Sequence, residues 1–251
     1  MCGIAAILLQ PGERPPEMWA DIRRCFTENL LFNEERGREA AGVGLVQADG
    51  TTAVYKSPLP AREFVRQPIY HRILEQTGRQ TTLLLGHARR PTKGSPQNEA
   101  NNHPLQAGMV LGVHNGHIEN DDDLFARGAY PRHGEVDSEI IFRLLWHELP
   151  QPFAQLPLTA ARDVLRRLTG KFAVLAADRR APESLLVVRR GNPLSFHYHP
   201  EWRAVIFSSR YIFLRKMFGP AVLYETLPDN HLFLYNAHNL PQRQYCVLRP
   251  S

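Results

Sequence analysis

The chain opens with MCGIAAILL, residues 1–9, in which a branched apolar run follows one cysteine and stops at Gln10-Pro11-Gly12. A short apolar run that ends in turn-forming residues is typical of a buried β-strand. We therefore predict a strand over Gly3–Leu9. Cys2 then starts this strand.

Length and composition are those of an ordinary globular protein: 251 residues, of which 43% are hydrophobic and 22% are charged. A chain of this size buries a sizeable core, and we expect one domain over residues 1–251, with its main body at about 2–218 and further strands to 251. The longest apolar run is far shorter than the roughly 18 residues that cross a bilayer, so we expect no membrane segment and a cytoplasmic protein.

Charge and cysteine usage argue against several classes of function. The net charge of +5 comes with arginine doublets scattered along the chain, and no basic stretch is interleaved with aromatic residues as a nucleic-acid surface requires. We therefore expect no nucleic-acid partner. The three cysteines, Cys2, Cys25 and Cys246, are odd in number and widely spaced, which argues against a disulfide framework or a cysteine-based zinc site.

The order of the predicted elements indicates an α+β fold. Strand-rich ends flank helical stretches, which favours two packed sheets with helices outside, a four-layer arrangement, over alternating βαβ units. Residues 90–104 are polar, broken by prolines and without periodicity, so we predict a long loop there. The predicted helices span about 16–36, 61–77, Asp121–Ala126, Ser138–Leu149 and Leu158–Leu168. The predicted strands span Gly3–Leu9, Ala41–Gln47, Thr51–Lys56, Thr82–His87, Met109–His114, Lys171–Ala177, Leu185–Arg189, Leu194–Tyr198, Ala204–Ser208 and His231–Tyr235.

Cys2 follows the initiator methionine, and Met1 is normally removed before a residue with so small a side chain. The processed chain then begins with a cysteine that carries a thiol of ordinary pKa about 8.5 and an α-amine of about 7.7 to 8.0. At neutral pH this amine serves as general base for its own thiol, so no separate histidine is needed. By its position alone, Cys2 is more simply a terminal residue without a role, and other segments must decide.

Seven short segments carry a family resemblance. They are MCGIA (1–5), ERGREAAG (35–42), GHARRPTKG (86–94), NHP (102–104), VHNGHIEN (113–120), DSEII (137–141) and GKFA (170–173). Present together and in this order, they resemble the class II glutamine amidotransferases, whose glutaminase domain also occurs in glucosamine-6-phosphate synthase and in the amidotransferase of purine synthesis. The resemblance implies the αββα sandwich of N-terminal-nucleophile hydrolases, with glutamine as the substrate.

The same resemblance implies a mechanism in which Cys2 attacks the side-chain amide of glutamine. Ammonia leaves, water hydrolyses the γ-glutamyl thioester to glutamate, and the cycle requires no metal or organic cofactor. The oxyanion that forms needs preorganised donors. By resemblance these are the side-chain amide of Asn115 and the backbone N–H of Gly116. An Asn-Gly pair is also a common hairpin turn, which the dipeptide alone predicts at least as well.

Four further residues are assigned to substrate binding by resemblance. Arg89 binds the α-carboxylate of glutamine as a planar cation, and Thr92 adds a hydroxyl. Asp137 binds the α-ammonium, although an aspartate in front of a helical run also serves as a helix cap. Arg36 and Gly37 match a pair beside the nucleophile, and they equally suit a helix-ending turn. Outside its motif, Arg89 in a doublet would be read as a surface residue.

The predicted loop departs from the family pattern. Sugar synthases commonly carry Trp-Ala where this chain has Arg90-Pro91, and a histidine where it has Lys93. Their loop closes over glutamine and helps to direct ammonia, so both loop closure and the acceptor are open questions here. A chain of 251 residues leaves no room for a synthase domain, and we expect a separate synthase or acceptor enzyme as partner.

Other functions stay open beside this one. A metal site at His87, His103, His114 and His117 is disfavoured, because no pair has the i, i+4 spacing of a helix and no cysteine joins them. A papain-like protease is disfavoured because Cys2 opens a strand rather than a helix. The remaining alternatives are a stand-alone hydrolase of a larger γ-glutamyl amide and a non-catalytic binding module on the same scaffold. The sequence makes no prediction of oligomeric state.

Overall fold

Thirteen strands and seven α-helices make up the described part of the computed structural model, which covers residues 1–220, 225–240 and 242–249. The strands are β1 (Gly3–Leu9), β2 (Ala40–Gln47), β3 (Thr52–Ser57), β4 (Thr81–Arg89), β5 (Leu105–Ala107), β6 (Val110–Ile118), β7 (Gly170–Asp178), β8 (Ala181–Arg190), β9 (Ser195–His199), β10 (Ala204–Ser208), β11 (Glu225–Thr226), β12 (His231–Asn236) and β13 (Arg243–Val247). The helices are α1 (Pro16–Asn33), α2 (Ala61–Phe64), α3 (Pro68–Glu75), α4 (Asp121–Gly128), α5 (Glu139–Glu148), α6 (Leu158–Leu165) and α7 (Tyr211–Phe218).

The strands form two sheets, and every pairing between these strands is antiparallel. The first sheet has the order β11-β9-β10-β1-β4-β2-β3, and the second has the order β13-β12-β8-β7-β6-β5. Strand β1 lies in the middle of the first sheet, between β10 and β4. The segment that follows Cys2 is therefore held by hydrogen bonds on both sides.

The side chains of β1 point alternately to the two faces of the first sheet, and this explains why the two sheets stack. Ile4, Ala6 and Leu8 belong to a buried core that they share with strands of the second sheet. Ala5 and Ile7 belong to a different core, formed with helices on the outer face of the first sheet. A strand that is buried on both faces has no polar positions, which is why residues 3–9 form a continuous apolar run.

Helices cover the outer face of each sheet. Ile22, Phe26 and Leu30 of α1 recur at helical spacing and are buried against the first sheet. Buried residues of α5 and α6 pack in the same way against the second sheet. The predicted four-layer α+β fold, an αββα sandwich, is confirmed. Among the helices of the described residues, none combines the length and the apolar character that a membrane crossing needs.

One predicted turn is wrong. The sequence predicts a strand that ends at His114 before a turn at Asn115-Gly116, but β6 continues to Ile118. Strand β7 pairs with β6 over its whole length, including both residues of the predicted turn. This pairing holds the backbone extended, and Gly116 has a φ of +152°, whereas a tight hairpin turn needs about +60°.

Proline accounts for another difference. The helix predicted over 61–77 is divided into α2 and α3, because Pro68 lacks the N–H that a continuous helix requires and instead begins α3. The sequence did not predict strands β5 and β11 or helix α7. The long loop over residues 90–104 is confirmed, apart from one 3₁₀ turn at Glu99–Asn101. The last strand ends at Val247, and Pro250 and Ser251 lie outside the described residues.

Candidate active site

Cys2 stands at the amino end of β1 and, by alternation, on the face that looks toward the second sheet. Ile4 and Ala6 share this parity, and both belong to the core between the sheets. Only 9% of Cys2 is exposed, and its Sγ lies 3.4 Å from both the backbone N and the backbone O of Arg90. The thiol is therefore fixed against the first residue of the long loop.

A cavity of about 160 Å³ opens beside Cys2. Its walls come from the start of β1, the loop after β4, the end of β6, the start of β7 and the connection after β8. The lining residues are Met1, Cys2, Arg90, Thr92, Gly116, His117, Lys171 and Asn192. Segments far apart in the sequence thus meet around one thiol, and Cys2, Thr92 and Gly116 are residues that the sequence predicts for the site.

Burial sets the acid–base properties at the start of β1. It raises the pKa of the Cys2 thiol, and the hydrogen bond with Arg90 and the nearby amino terminus oppose this rise. Burial also lowers the pKa of the amino-terminal ammonium, here that of Met1. A thiol in this place needs a base to lose its proton, and an amine in this place gives up its own proton readily.

Arg36 holds the backbone of Cys2. It ends a 3₁₀ turn, Glu34–Arg36, that follows α1, and its Nε donates a hydrogen bond of 2.7 Å to the Cys2 carbonyl oxygen. Gly37 is extended, at φ −169°, so it is not a left-handed helix cap. A Cβ on Gly37 would lie 2.3 Å from the carbonyl carbon of Arg89, so close packing requires glycine there. Arg36 therefore lies beside Cys2, and Gly37 beside Arg89.

Asn115 carries a buried amide without a partner. The residue is 0% exposed, and within the described residues neither its Oδ1 nor its Nδ2 makes a hydrogen bond. Leu111 and Val113 face the core between the sheets, so alternation along β6 turns the Asn115 side chain to the space that Cys2 also faces. An unpaired buried polar group costs about 1 to 3 kcal/mol. Such a group is expected where a bound molecule completes the hydrogen bonds.

Gly116 brings bare backbone to the wall of the cavity. Its φ of +152° lies in a region that favours glycine, and a Cβ would stand 2.1 Å from the carbonyl oxygen of Lys171. No larger residue fits at this position without moving β7. Gly116 thus lines the cavity, while the unpaired amide of Asn115 is buried next to it in the chain.

Asp137 is buried beside the end of β6. Its Oδ2 accepts a hydrogen bond of 2.6 Å from the backbone N of Ile118 and lies 3.4 Å from Nδ1 of His117, a residue of the cavity wall. The N-cap residue of α5 is Ser138, and its side chain makes no capping hydrogen bond. The alternative of a helix cap is therefore wrong for Asp137.

Arg89 is buried beneath the loop that follows β4. Its guanidinium donates hydrogen bonds of 2.8 Å to Asn102 Oδ1, 2.8 Å to the carbonyl oxygen of Lys93 and 2.9 Å to that of Gly94. Only 2% of Arg89 is exposed, so the alternative of a surface arginine is wrong. Arg89 shapes the loop, while Thr92 of the same loop lines the cavity. Binding of a carboxylate by Arg89 stays a prediction.

Lys93 ties the same loop to α4. Its Nζ lies 2.7 Å from Asp121 Oδ2 and 2.9 Å from Asp122 Oδ2, and Arg132 pairs with the same two carboxylates. Lys93 is not among the residues that line the cavity. The departure from the family pattern at this position therefore produces an ion-pair cluster that anchors the loop outside the cavity.

Asn192 is a residue of the site that the sequence motifs do not reveal. Its Nδ2 donates a hydrogen bond of 2.8 Å to the carbonyl oxygen of Asn115 and one of 3.3 Å to that of Lys171. It also lines the cavity and is almost fully buried. Asn192 lies in the connection after β8, between a glycine and a proline, and this pattern by itself indicates only a loop.

Three of the four histidines considered as metal ligands lie together between the sheets. The ring centroid of His103 is 4.2 Å from that of His87 and 6.3 Å from that of His114. His87 Nε2 lies 2.8 Å from the carbonyl oxygen of His114. His117 is separate and faces Asp137. Within the part of the chain that the structure describes, no group of three His, Cys, Asp or Glu side chains is arranged to hold a metal ion.

These buried histidines predict a loss of stability in acid. Burial lowers the pKa of His87 to about 3, and it also lowers the pKa values of His103 and His114. Unfolding restores values of about 6.5, so from about pH 6.5 down toward 3 the unfolded chain takes up protons that the folded chain does not. We expect the free energy of unfolding to fall in this window by up to about 1.4 kcal/mol per pH unit for each histidine.

Urea unfolding at about pH 7.5, 6 and 5 measures this dependence. His103→Gln is expected to make the dependence shallower, because one buried imidazole is removed. The same change at the exposed His71 serves as the control. Equal slopes in the two variants would contradict the prediction, and since slopes are compared, a general loss of stability in His103→Gln does not affect the test.

The sequence is similar to known proteins over most of its length. The glutamine amidotransferase domain family matches residues 90–216. The isomerizing glutamine–fructose-6-phosphate aminotransferase of Shigella flexneri is 32% identical over 201 residues, which cover 77% of this chain and 29% of that protein. The enzyme of the same name from Vibrio parahaemolyticus is 29% identical over 197 residues, again 77% of this chain and 29% of that protein. This chain thus spans less than a third of the length of these curated relatives.

The fold of this chain is similar to that of solved structures. Glutamine phosphoribosylpyrophosphate amidotransferase from B. subtilis, solved with ADP and GMP, aligns with a TM-score of 0.74 at 16% identity, over 100% of this chain and 50% of that chain. A structure described as the allosteric regulatory enzyme of purine biosynthesis aligns with a TM-score of 0.72, also at 16% identity. At this identity the likeness concerns the arrangement of sheets and helices alone.

Proposed function

This chain belongs to the class II glutamine amidotransferases, and on that premise we propose that residues 1–251 form one glutaminase domain that hydrolyses glutamine to glutamate and ammonia. Cys2 is the nucleophile after Met1 has been removed. Asn115 and Gly116 stabilise the oxyanion, the former through its side-chain amide and the latter through its backbone N–H.

One observation carries the proposal: the Cys2 thiol and the orphan Asn115 amide face the same space between the sheets, beside one cavity. Attack of sulfur on an amide carbon turns the carbonyl oxygen into an oxyanion. A donor that is already in place for that oxygen contributes about 10² to 10³ in rate. Asn115 Nδ2 supplies such a donor without breaking another hydrogen bond, because within the described residues it has none.

The reaction proceeds in two balanced steps. Cys2 Sγ bonds to the amide carbon of glutamine, the thiol proton passes by way of the α-amine to the departing nitrogen, and the carbon–nitrogen bond breaks to release ammonia. Water then attacks the thioester carbon, and the amine transfers a proton from this water to the leaving sulfur. The amine that performs these transfers is that of Cys2, which becomes the amino terminus once Met1 is removed.

We assign the amino-acid end of glutamine to charged groups around the cavity. Asp137 binds the α-ammonium, and its burial next to the cavity residue His117 supports this role. Arg89, together with Thr92, binds the α-carboxylate. Arg36 positions Cys2 through the hydrogen bond to its carbonyl oxygen rather than by contact with substrate.

We propose that the ammonia passes to a synthase or other acceptor enzyme on a separate polypeptide. The curated relatives are named glutamine–fructose-6-phosphate aminotransferases, a name that pairs glutamine with an acceptor of its nitrogen. The isolated chain is then expected to hydrolyse glutamine slowly, with a higher kcat when the acceptor enzyme is added.

Mass spectrometry with a glutamine analogue that carries an electrophilic carbon in place of the amide tests the proposal. The expected result is one adduct, on Cys2 of a chain that lacks Met1, and no adduct in Cys2→Ala. Labelling of Cys25 or Cys246, or of a chain that retains Met1, would overturn the assignment. A folded protein that forms no adduct at all would favour the alternative of a non-catalytic binding module.

A further inference from the structure

A polar groove lies next to the cavity beside Cys2. It has a volume of about 360 Å³, and its walls include Glu119, Lys171, Arg190 and Asp229. The end of β6, the start of β7 and the connection after β8 contribute residues to both the groove and the cavity, and Lys171 lines both. The groove and the cavity therefore adjoin at Lys171.

Lys171 is the cation at the junction between cavity and groove. Its side chain is exposed, and within residues 1–220, 225–240 and 242–249 its Nζ has neither an ion pair nor a hydrogen bond. The stem of the side chain is nevertheless packed, since a Cβ on Gly191 would lie 2.7 Å from Lys171 Cγ. A lysine with a supported stem and a free ammonium is suited to pair with an anion that enters from the cavity.

The other charged residues of the groove either have hydrogen-bond partners within the protein or carry a negative charge. Asp229 Oδ1 accepts a hydrogen bond of 2.6 Å from the backbone N of Gly191, and Arg190 Nη1 donates one of 2.9 Å to the carbonyl oxygen of Leu168. Glu119 is exposed, and its negative charge favours a cationic ligand, whereas Lys171 favours an anionic one. Of the four charged residues of the groove, only Lys171 also lines the cavity, whereas Arg90, the arginine of the cavity wall, does not line the groove.

We infer that the site accepts γ-glutamyl amides whose nitrogen carries a carboxylate-bearing substituent, as in a γ-glutamyl amino acid, and that Lys171 binds this carboxylate. The inference rests on the proposed function, because it uses the same Cys2 thioester. With the α-carboxylate of the glutamyl group on the loop after β4, the amide substituent extends along β7 into the groove.

The chemistry is that of glutamine with a larger leaving group. The bond between Cys2 Sγ and the amide carbon forms, the bond from this carbon to the nitrogen of the amino acid breaks, and the thiol proton relayed by the α-amine converts that nitrogen into a free amine. Water then hydrolyses the thioester to glutamate. One water molecule is consumed, and no other reactant is needed.

Steady-state kinetics of the processed full chain on two amides of similar size test the inference. These are γ-glutamylglycine, which carries a carboxylate, and γ-glutamylpropylamide, which is neutral. The ratio of their kcat/KM values is expected to be about two- to fivefold in favour of γ-glutamylglycine, the effect of one ion pair with an exposed lysine. In Lys171→Met, which keeps an unbranched stem and removes the charge, the ratio is expected to fall to about one. A ratio within one variant cancels any general loss of folding or catalysis.

Glu119→Gln is the matched control, because it changes the other uncommitted charge of the groove. It is expected to retain the preference for γ-glutamylglycine. A ratio near one in the parent chain, or a ratio that survives in Lys171→Met, would overturn the inference. So would a preference for a cationic amide, the γ-glutamyl amide of ethylenediamine, that disappears in Glu119→Gln.

The two proposals fail in distinguishable ways. If glutamine is hydrolysed through Cys2 and the ratio is one, only the inference about Lys171 is wrong. If neither glutamine nor any amide is hydrolysed and Cys2 takes no label from the electrophilic analogue, the proposed function is wrong and the inference falls with it.

Discussion

Cys2→Ala is expected to reduce glutamine hydrolysis by about 10⁴- to 10⁶-fold, the usual effect of removing a nucleophile that forms a covalent intermediate. The change removes the sulfur and leaves the backbone that Arg36 holds, since that hydrogen bond goes to the Cys2 carbonyl oxygen. The fold is expected to persist, because alanine is smaller and equally apolar. Single-turnover release of ammonia from glutamine measures the loss.

Cys246→Ala is the matched control for this prediction. It makes the same chemical change in β13, at a residue that does not line the cavity, and it is expected to leave the rate unchanged. Protein that retains Met1 is expected to be as inactive as Cys2→Ala, because its terminal amine belongs to another residue and Met1 itself lines the cavity. Activity within about tenfold of the parent, in Cys2→Ala or in the chain that retains Met1, would mean that the Cys2 sulfur and the Cys2 amine are not both required for the reaction.

Asn115→Ala is expected to lower kcat by about 10² to 10³ with little change in KM. The reason is that the oxyanion exists only in the transition state and its neighbours, so the lost hydrogen bond is not made in the ground state. Initial rates over a range of glutamine concentrations separate the two parameters. Asn239→Ala, at an exposed asparagine that does not line the cavity, is the control and is expected to keep both.

Asn192 provides an internal comparison for Asn115. It holds the Asn115 carbonyl oxygen at 2.8 Å, so Asn192→Ala is expected to cost about tenfold in kcat by loosening the donor rather than removing it. In the double variant the loss is then expected to equal that of Asn115→Ala alone, since a missing donor cannot be mispositioned. Fully multiplicative losses would contradict a positioning role, and a rise in KM at constant kcat would contradict the oxyanion role of Asn115.

Predictions from local sequence patterns were wrong at residues that pair with another segment of the chain. Asn115-Gly116 favours a turn by its composition, yet pairing with β7 holds both residues in an extended strand. Asp137 precedes a helix and favours a cap, yet its carboxylate accepts from Ile118 instead. In both places the contacts made after folding outweigh a local preference of about 1 kcal/mol.

The sequence by itself determined the layered fold, because the apolar run at Gly3–Leu9 and the helical spacing of α1 are consequences of burial that are written along the chain. It also determined the family, through the order of motifs from Cys2 to Lys171. Only the tertiary structure decided which polar groups share the cavity. Asn192 is 77 residues from Asn115, and Lys171 joins the cavity to the groove through the pairing of β6 with β7. Such contacts depend on which strands are neighbours, and no local periodicity encodes that.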